Sequence, residues 1–200
     1  MLTTSGSEFA VGALGIGGSQ GEIAVLKNGN FIVTWQNITV SGLPAPGTDL
    51  DSSSIAARIL GADGTPVTGV FQVNTSETSL QNLPEVTVLS NGNFVIAWQD
   101  GPLGTDAYEA RAQVYTEAGV KVGSEITLAT TSVKDQGMPQ IHATPDGGFL
   151  AAWSDSSMFS SGASARYFDA TGAATGVEMI VPGGANAERL TMAVLDDGSV

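Results

Sequence analysis

Three stretches of this 200-residue chain are near copies of one another, and that repetition limits the fold more than any other feature. They are VLKNGNFIVTWQ from Val25, VLSNGNFVIAWQ from Val88 and ATPDGGFLAAWS from Ala143. A further copy begins in AVLDDGSV at the C-terminal end. The tryptophans Trp35, Trp98 and Trp153 lie 63 and 55 residues apart. Each copy continues into a second half, ARILGADGTPVTG from Ala57, AQVYTEAGVKVG from Ala112 and ARYFDATGAATG from Ala165. A short apolar run then closes the unit: VFQVN, EITLA or EMIVP. GSEFAV (Gly6 to Val11) resembles GSEITL (Gly123 to Leu128), so the chain enters at the end of one unit. The expected division is 1–18 as the end of a preceding unit, then 19–75, 76–130 and 131–183, with 184–200 opening a fourth.

Each unit reads as four strands. The first covers Ile23 to Leu26, Val86 to Leu89, Ile141 to Thr144 and Leu190 to Leu195. Asn28-Gly29, Asn91-Gly92 and Asp146-Gly147 follow, and such pairs predict type I′ hairpins. The second strand holds the Phe and Trp. Phe94, Ile96 and Trp98 share one face, with Val95 and Ala97 on the other, so both faces are apolar and both need cover. Four antiparallel strands buried on both faces, repeating at about 55 residues, describe an all-β array of β-propeller blades packed face to face. About three and a half repeats are present, which predicts a fragment of a larger propeller. Unfinished end blades would promote self-association.

Composition narrows the function classes. There are 20 acidic and 7 basic residues, for a net charge of -13. Such a surface repels phosphate backbones, which excludes nucleic acid as a partner. With no cysteine there is neither a disulfide framework nor a thiolate metal site. Charged residues make up 14%, too few for the outer faces of a helical bundle. No run reaches the ~18 apolar residues of a membrane span, and MLTTSGSEFAVGALGIGG lacks the basic start of a signal peptide.

Repeats also provide an internal control, because a residue present in every copy is structural. By that criterion Trp35, Trp98 and Trp153 pack blades. Arg58 and Arg166 align with Gln113, while Arg111 falls two positions out of register, so the arginines form no triad. The single histidine, His142, aligns with Ala24 and Thr87, a tolerant strand position, and no nucleophile elbow accompanies it. Loops after the Trp strands gather Asp49, Asp51, Asp100, Asp106 and Asp155. Calcium takes six to eight oxygens from such groups, so these five residues are the expected metal ligands and Ca2+ the expected cofactor. Polar turns with self-capping Asp side chains are the plainer explanation of the same residues.

The stretch NGNFVIAWQDGPLGTDAYEARAQVYTEAGVKVGSEITL, with QNLP ahead of it, resembles a repeat of very large secreted bacterial proteins that also carry RTX-type (hemolysin-type) calcium-binding nonapeptides. The resemblance implies export, an extracellular or cell-surface location, and a non-enzymatic adhesive or ligand-binding role toward protein or carbohydrate. No GGxGxDxUx nonapeptide occurs here, and the first unit lacks the Gln-x-x-Pro seen at Gln81 to Pro84 and Gln136 to Pro139. Two alternatives stand beside this reading: a carbohydrate-active propeller enzyme (a glycosidase or lyase), and an intracellular protein-interaction scaffold.

Overall fold

A computed structural model describes residues 17–38, 53–76, 79–102, 107–130, 135–157 and 160–181. These form three four-stranded antiparallel sheets with no helix among the described residues. Blade 1 contains β1 (Gly17–Val25), β2 (Phe31–Ile38), β3 (Ser53–Leu60) and β4 (Phe71–Gln72). Blade 2 contains β5 (Leu80–Val88), β6 (Phe94–Gly101), β7 (Glu109–Tyr115) and β8 (Lys121–Thr127). Blade 3 contains β9 (Asp135–Ala143), β10 (Phe149–Ser157), β11 (Ser160–Phe168) and β12 (Met179–Val181). Strand order within each sheet follows the chain, and β5 packs against β1, β2 and β3 just as β9 packs against β5, β6 and β7. This is the blade stacking of a partial β-propeller, as the repeat predicts. The terminal segments expected to hold GSEFAV and the strand Leu190 to Leu195 lie outside the described residues.

The two apolar faces of β6 serve two different seams. Phe94, Ile96 and Trp98 pack with Tyr115 against Leu26, Ile32, Ile55, Ile59 and Val73 of blade 1. Val95 and Ala97 pack with Val114 against Phe149, Ala151 and Trp153 of blade 3. Every residue of β6 is buried as a result.

Two local features depart from expectation. The Asn-Gly and Asp-Gly turns are not type I′, which needs φ > 0 at both central residues. In the turn after β1, Gly29 has φ 85° and donates to Leu26 O, while Asn28 is not left-handed. Gly92 and Gly147 repeat the pattern, so these hairpins are type I turns with a left-handed glycine after them. The Asn28 side chain accepts from Asn30 N at 3.0 Å, which holds the turn without a second left-handed residue.

The first strands also start earlier than the apolar runs suggest. Each passes through a β-bulge, at Ser19/Glu22, Asn82/Glu85 and the matching stretch of β9. Gln20, Leu83 and Met138 occupy the same place in each bulge, with φ of 53°, 52° and 49°. The Gln-x-x-Pro of units 2 and 3 is this bulge, and its proline sits where no ladder hydrogen bond is needed. The preceding blade props the strained residue in both cases: Leu83 N donates to Gln20 Oε1 at 3.0 Å, and Met138 N to Gln99 Oε1 at 3.1 Å.

A second device ties the outer rim. Thr75 N and Oγ1 donate to Glu125 Oε2 at 2.9 and 2.6 Å, and Thr130 N and Oγ1 to Glu178 Oε2 at 2.8 and 2.7 Å. Each glutamate reaches back to the threonine at the end of the preceding blade. Burial by itself would raise the Glu178 carboxyl, but the bonds from Thr130 and Ser164 outweigh it and hold the pKa below the usual glutamate value. Thr130→Val is therefore expected to cost about 1 kcal/mol at neutral pH. Because the folded pKa is depressed, that contribution is present above the unfolded value and is lost as pH falls through the folded one. Thermal melts of both proteins should converge as Glu178 becomes protonated in acid; a gap that stays constant as pH falls through the whole carboxylate range would show that the loss is one of packing.

Candidate functional site

The two ends of the blades differ in kind. Tight turns close one end. The connections between blades, and those from second to third strand, emerge at the other. At this loop end the strands finish in buried polar side chains. Asn37, Asp100 and Asp155 hold one matched position in the three second strands, at 2%, 5% and 9% exposure. Gln81 and Gln136 stand opposite Asp100 and Asp155 and are fully buried.

Blade 2 builds an ionic cluster on this frame. Asp100 Oδ1 accepts from Gln81 Nε2 at 3.1 Å and from Ser79 Oγ. Asp100 Oδ2 lies 3.1 Å from Arg111 Nε, an ion-pair contact without hydrogen-bond alignment. Arg111 Nη1 donates to Glu125 Oε1 at 2.8 Å, and Nη2 to Glu109 Oε2 at 2.6 Å. Burial would lower the Arg111 pKa, but the bonds from Glu125 and Glu109 and the charge of Asp100 outweigh it and raise it. Three carboxylates thus surround one guanidinium.

Blade 3 keeps the frame and removes the cation. Across from Trp98 stands Arg111; across from Trp153 stands Ser164. Across from Asp100 stands Glu109; across from Asp155 stands Gly162. Ser164 Oγ donates to Asp155 Oδ2 at 3.3 Å, and Ser164 also reaches Glu178. Asp155 and Glu178 therefore share a hydroxyl where Asp100 and Glu125 share a guanidinium.

The five aspartates expected to bind metal divide accordingly. Asp100 and Asp155 occupy equivalent seams in different blades, and no cluster of three metal-ligating side chains forms among the described residues. Asp49, Asp51 and Asp106 lie outside the described residues. Gln113, Arg58 and Arg166 do share a register position, opposite Ile96, Val33 and Ala151, and Arg111 is two places away, so the arginines are spread over the blades as expected. His142 faces Leu150 across the ladder. Sequence reading missed the Arg111 cluster. Its signal was there: Glu109 and Arg111 lie two apart on one strand, on the Asp100 face, in unit 2 alone.

The turn end carries further carboxylates. Asp146 and Asp169 line an open groove of about 480 Å³ between blades 2 and 3, with Ser90, Asn91, Thr171 and Thr175. Hydrogen bonds from Thr144 and Gly148 hold Asp146 below the usual aspartate pKa, and bonds from Thr171 do the same for Asp169. Both carboxylates cap their own turns.

No family model and no curated protein matches this chain. Solved structures do. An endo-arabinase from Bacteroides thetaiotaomicron is 14% identical, with a TM-score of 0.51 over 91% of this chain and 61% of its own. Zg3597, a family 117 glycoside hydrolase from Zobellia galactanivorans, is 15% identical, with a TM-score of 0.55 over 90% and 59%. An alpha-L-arabinanase from Penicillium chrysogenum, complexed with arabinobiose, is 18% identical, with a TM-score of 0.55 over 80% and 49%. The chain thus spans half to three fifths of the propellers it resembles. At these identities the likeness establishes the fold. It also corrects two expectations. The resemblance to RTX-type calcium-binding repeats is not what the fold comparison returns; its neighbours are glycoside hydrolases. The non-enzymatic adhesin reading falls with it. A motif of glycine hairpin and Phe-x-x-x-Trp records how a blade packs, and unrelated propellers share that requirement.

Proposed function

We propose that the chain is part of a carbohydrate-active propeller enzyme that hydrolyses glycosidic bonds, with a furanoside polymer such as arabinan as its substrate class. The observation that carries this reading is the loop-end row of buried polar side chains, above all Asp155. It holds the Asp100 position, but beside Ser164 instead of a guanidinium. Glycoside hydrolysis needs two carboxyl groups flanking the scissile bond, with oxygen and amide groups around them to bind sugar hydroxyls. Asp155 supplies one such carboxyl group, with the Ser164 hydroxyl beside it at the loop end, and the proposal puts the second in the part of the propeller that this chain does not span. The fold likeness to three glycoside hydrolases supports the reading. A polymeric substrate cannot enter a cell, so the proposal places the enzyme outside it.

The test is release of reducing sugar from arabinan and arabino-oligosaccharides, followed by Asp155→Asn. The variant should lower kcat/KM at least about 100-fold at an unchanged melting temperature. No release from arabinan, galactan, xylan or agar oligosaccharides would overturn the assignment.

Calcium belongs to the proposal as a stabilising ion of the loops bearing Asp49, Asp51 and Asp106. Calcium at ~10 mM should then raise Tm by several degrees, given extracellular Kd values of about 10⁻⁴ to 10⁻³ M. An equal shift from sodium at matched ionic strength would reduce the effect to screening.

A further inference from the structure

At the turn end the two seams between blades match residue for residue, yet one is bridged and the other is open. Leu26, Leu89 and Thr144 N donate to Asn30, Asn93 and Gly148 O, so Lys27, Ser90 and Pro145 hold one position in the three first turns. Thr116 N and Asp169 N donate to Val120 and Ala173 O, so Glu117 and Ala170 hold one position in the third turns. Between blades 1 and 2 the Lys27 ammonium donates to Ser90 O across the seam. Glu117 reaches back the other way, where its Oε1 accepts from Asn28 N at 2.8 Å. Between blades 2 and 3 both bridging side chains are replaced, the lysine by Ser90 and the glutamate by Ala170. The open groove of about 480 Å³ lies between those two replacements.

Charge changes with shape. Where blade 2 has Asn91 and Thr116, blade 3 has Asp146 and Asp169, both in the groove wall. The first junction sets one cation against one anion. The second has two carboxylates and no cation among its lining residues. Turn capping occupies only Oδ1 of each aspartate, with bonds from Thr144 and Gly148 at Asp146 and from Thr171 and Ala173 at Asp169. These caps hold both carboxylates in place before anything binds, which lowers the ordering cost of binding.

We propose that this groove binds the side-chain ammonium of a lysine presented by a peptide or protein, in the place that Lys27 fills at the first junction. The seat of Lys27 on the matched turn is what points to this ligand. An ammonium carries three N–H donors and no acceptor. The second oxygens of Asp146 and Asp169 are its acceptors, with the Pro145 carbonyl in the place of Ser90 O. The net charge of -13 draws a cationic segment toward the chain. The groove lies at the opposite end of the blades from Asp155, so the proposal stands or falls apart from the hydrolase reading.

The test is an NMR titration of the full 200-residue chain with Nα-acetyl-lysine N-methylamide at low ionic strength. Amide shifts should be confined to the groove, at Asn91, Gly147, Gly148, Ala170 and Thr171, and should saturate in the millimolar range. The Nζ-acetylated probe keeps the side chain and loses the charge, and it should give no shifts. Asp146→Asn should weaken binding about twofold to fivefold. The turn survives this change, because Asn28 and Asn91 cap the matched turns through Oδ1. Ser90→Lys, which supplies the ammonium from within as Lys27 does, should abolish the shifts. Equal shifts from the acetylated probe or from methylammonium overturn the proposal. So do shifts scattered over the acidic surface, or a Ser90→Lys variant that binds as tightly as the parent.

Discussion

Trp98→Ala is expected to cost about 3 to 5 kcal/mol, the range for truncating a buried aromatic side chain. Trp98 is fully buried and sits where Ile55, Ile59 and Val73 of blade 1 meet Phe94 and Ile96 of blade 2. Its removal leaves a cavity between two sheets. Neither sheet can move to fill it, because the Gln99–Met138 and Thr75–Glu125 bonds fix blade 2 on both sides. Trp35→Ala provides the contrast. Trp35 occupies the matched position but is only half-buried, so its loss should be clearly smaller. Denaturant melts with equal losses at the two positions would refute the seam assignment.

Gly172→Ala should be nearly as damaging, at about 2 to 4 kcal/mol. Gly172 has φ 90°, which an alanine adopts only at a cost. A methyl group there also runs into Ile126 Cδ1 and comes within 3.2 Å of Val114 Cγ2, both on blade 2. The turn after β11 is thus wedged against the neighbouring blade, and substitution there overpacks the seam. Gly29→Ala isolates the backbone contribution. Gly29 has φ 85°, but nothing lies within 4 Å of the added methyl, so its cost should be about 1 to 2 kcal/mol. If the two substitutions cost the same, contact with Ile126 contributes nothing.

The fold was legible because the repeat and the alternation in β6 record a requirement that every blade shares. Phe94, Ile96 and Trp98 must be apolar whatever the protein does, and so must Val95 and Ala97. The turn type was misread because Asn-Gly favours type I′ only in an isolated two-residue hairpin. Here the hydrogen bond from Gly29 to Leu26 adds a residue to the loop. The bulges were hidden behind Pro84 and Pro139, which look like strand breakers in a linear reading. The candidate site was legible only in part. Asp100 and Asp155 were singled out as loop oxygens, yet what distinguishes them is Arg111 against Ser164. That difference lies on another strand and appears only once the register is known. The aspartates of the turn end attract attention by composition, but they are occupied in capping turns.

The rim contacts bear on how such an array can lengthen. Unit 2 contains both halves of the contact: Glu125 mates backward with Thr75, and Thr130 mates forward with Glu178. A tandem duplication of residues 76–130 would therefore place a new threonine against a new glutamate, and every junction in the longer chain would find its complement. Unit 1 has the forward half alone, with Val70 where the backward half would be. Copying unit 1 would put a threonine against a valine and create a mismatched joint. Among these units the middle one is the interchangeable part, and growth by duplication is easiest from the centre of the array outward.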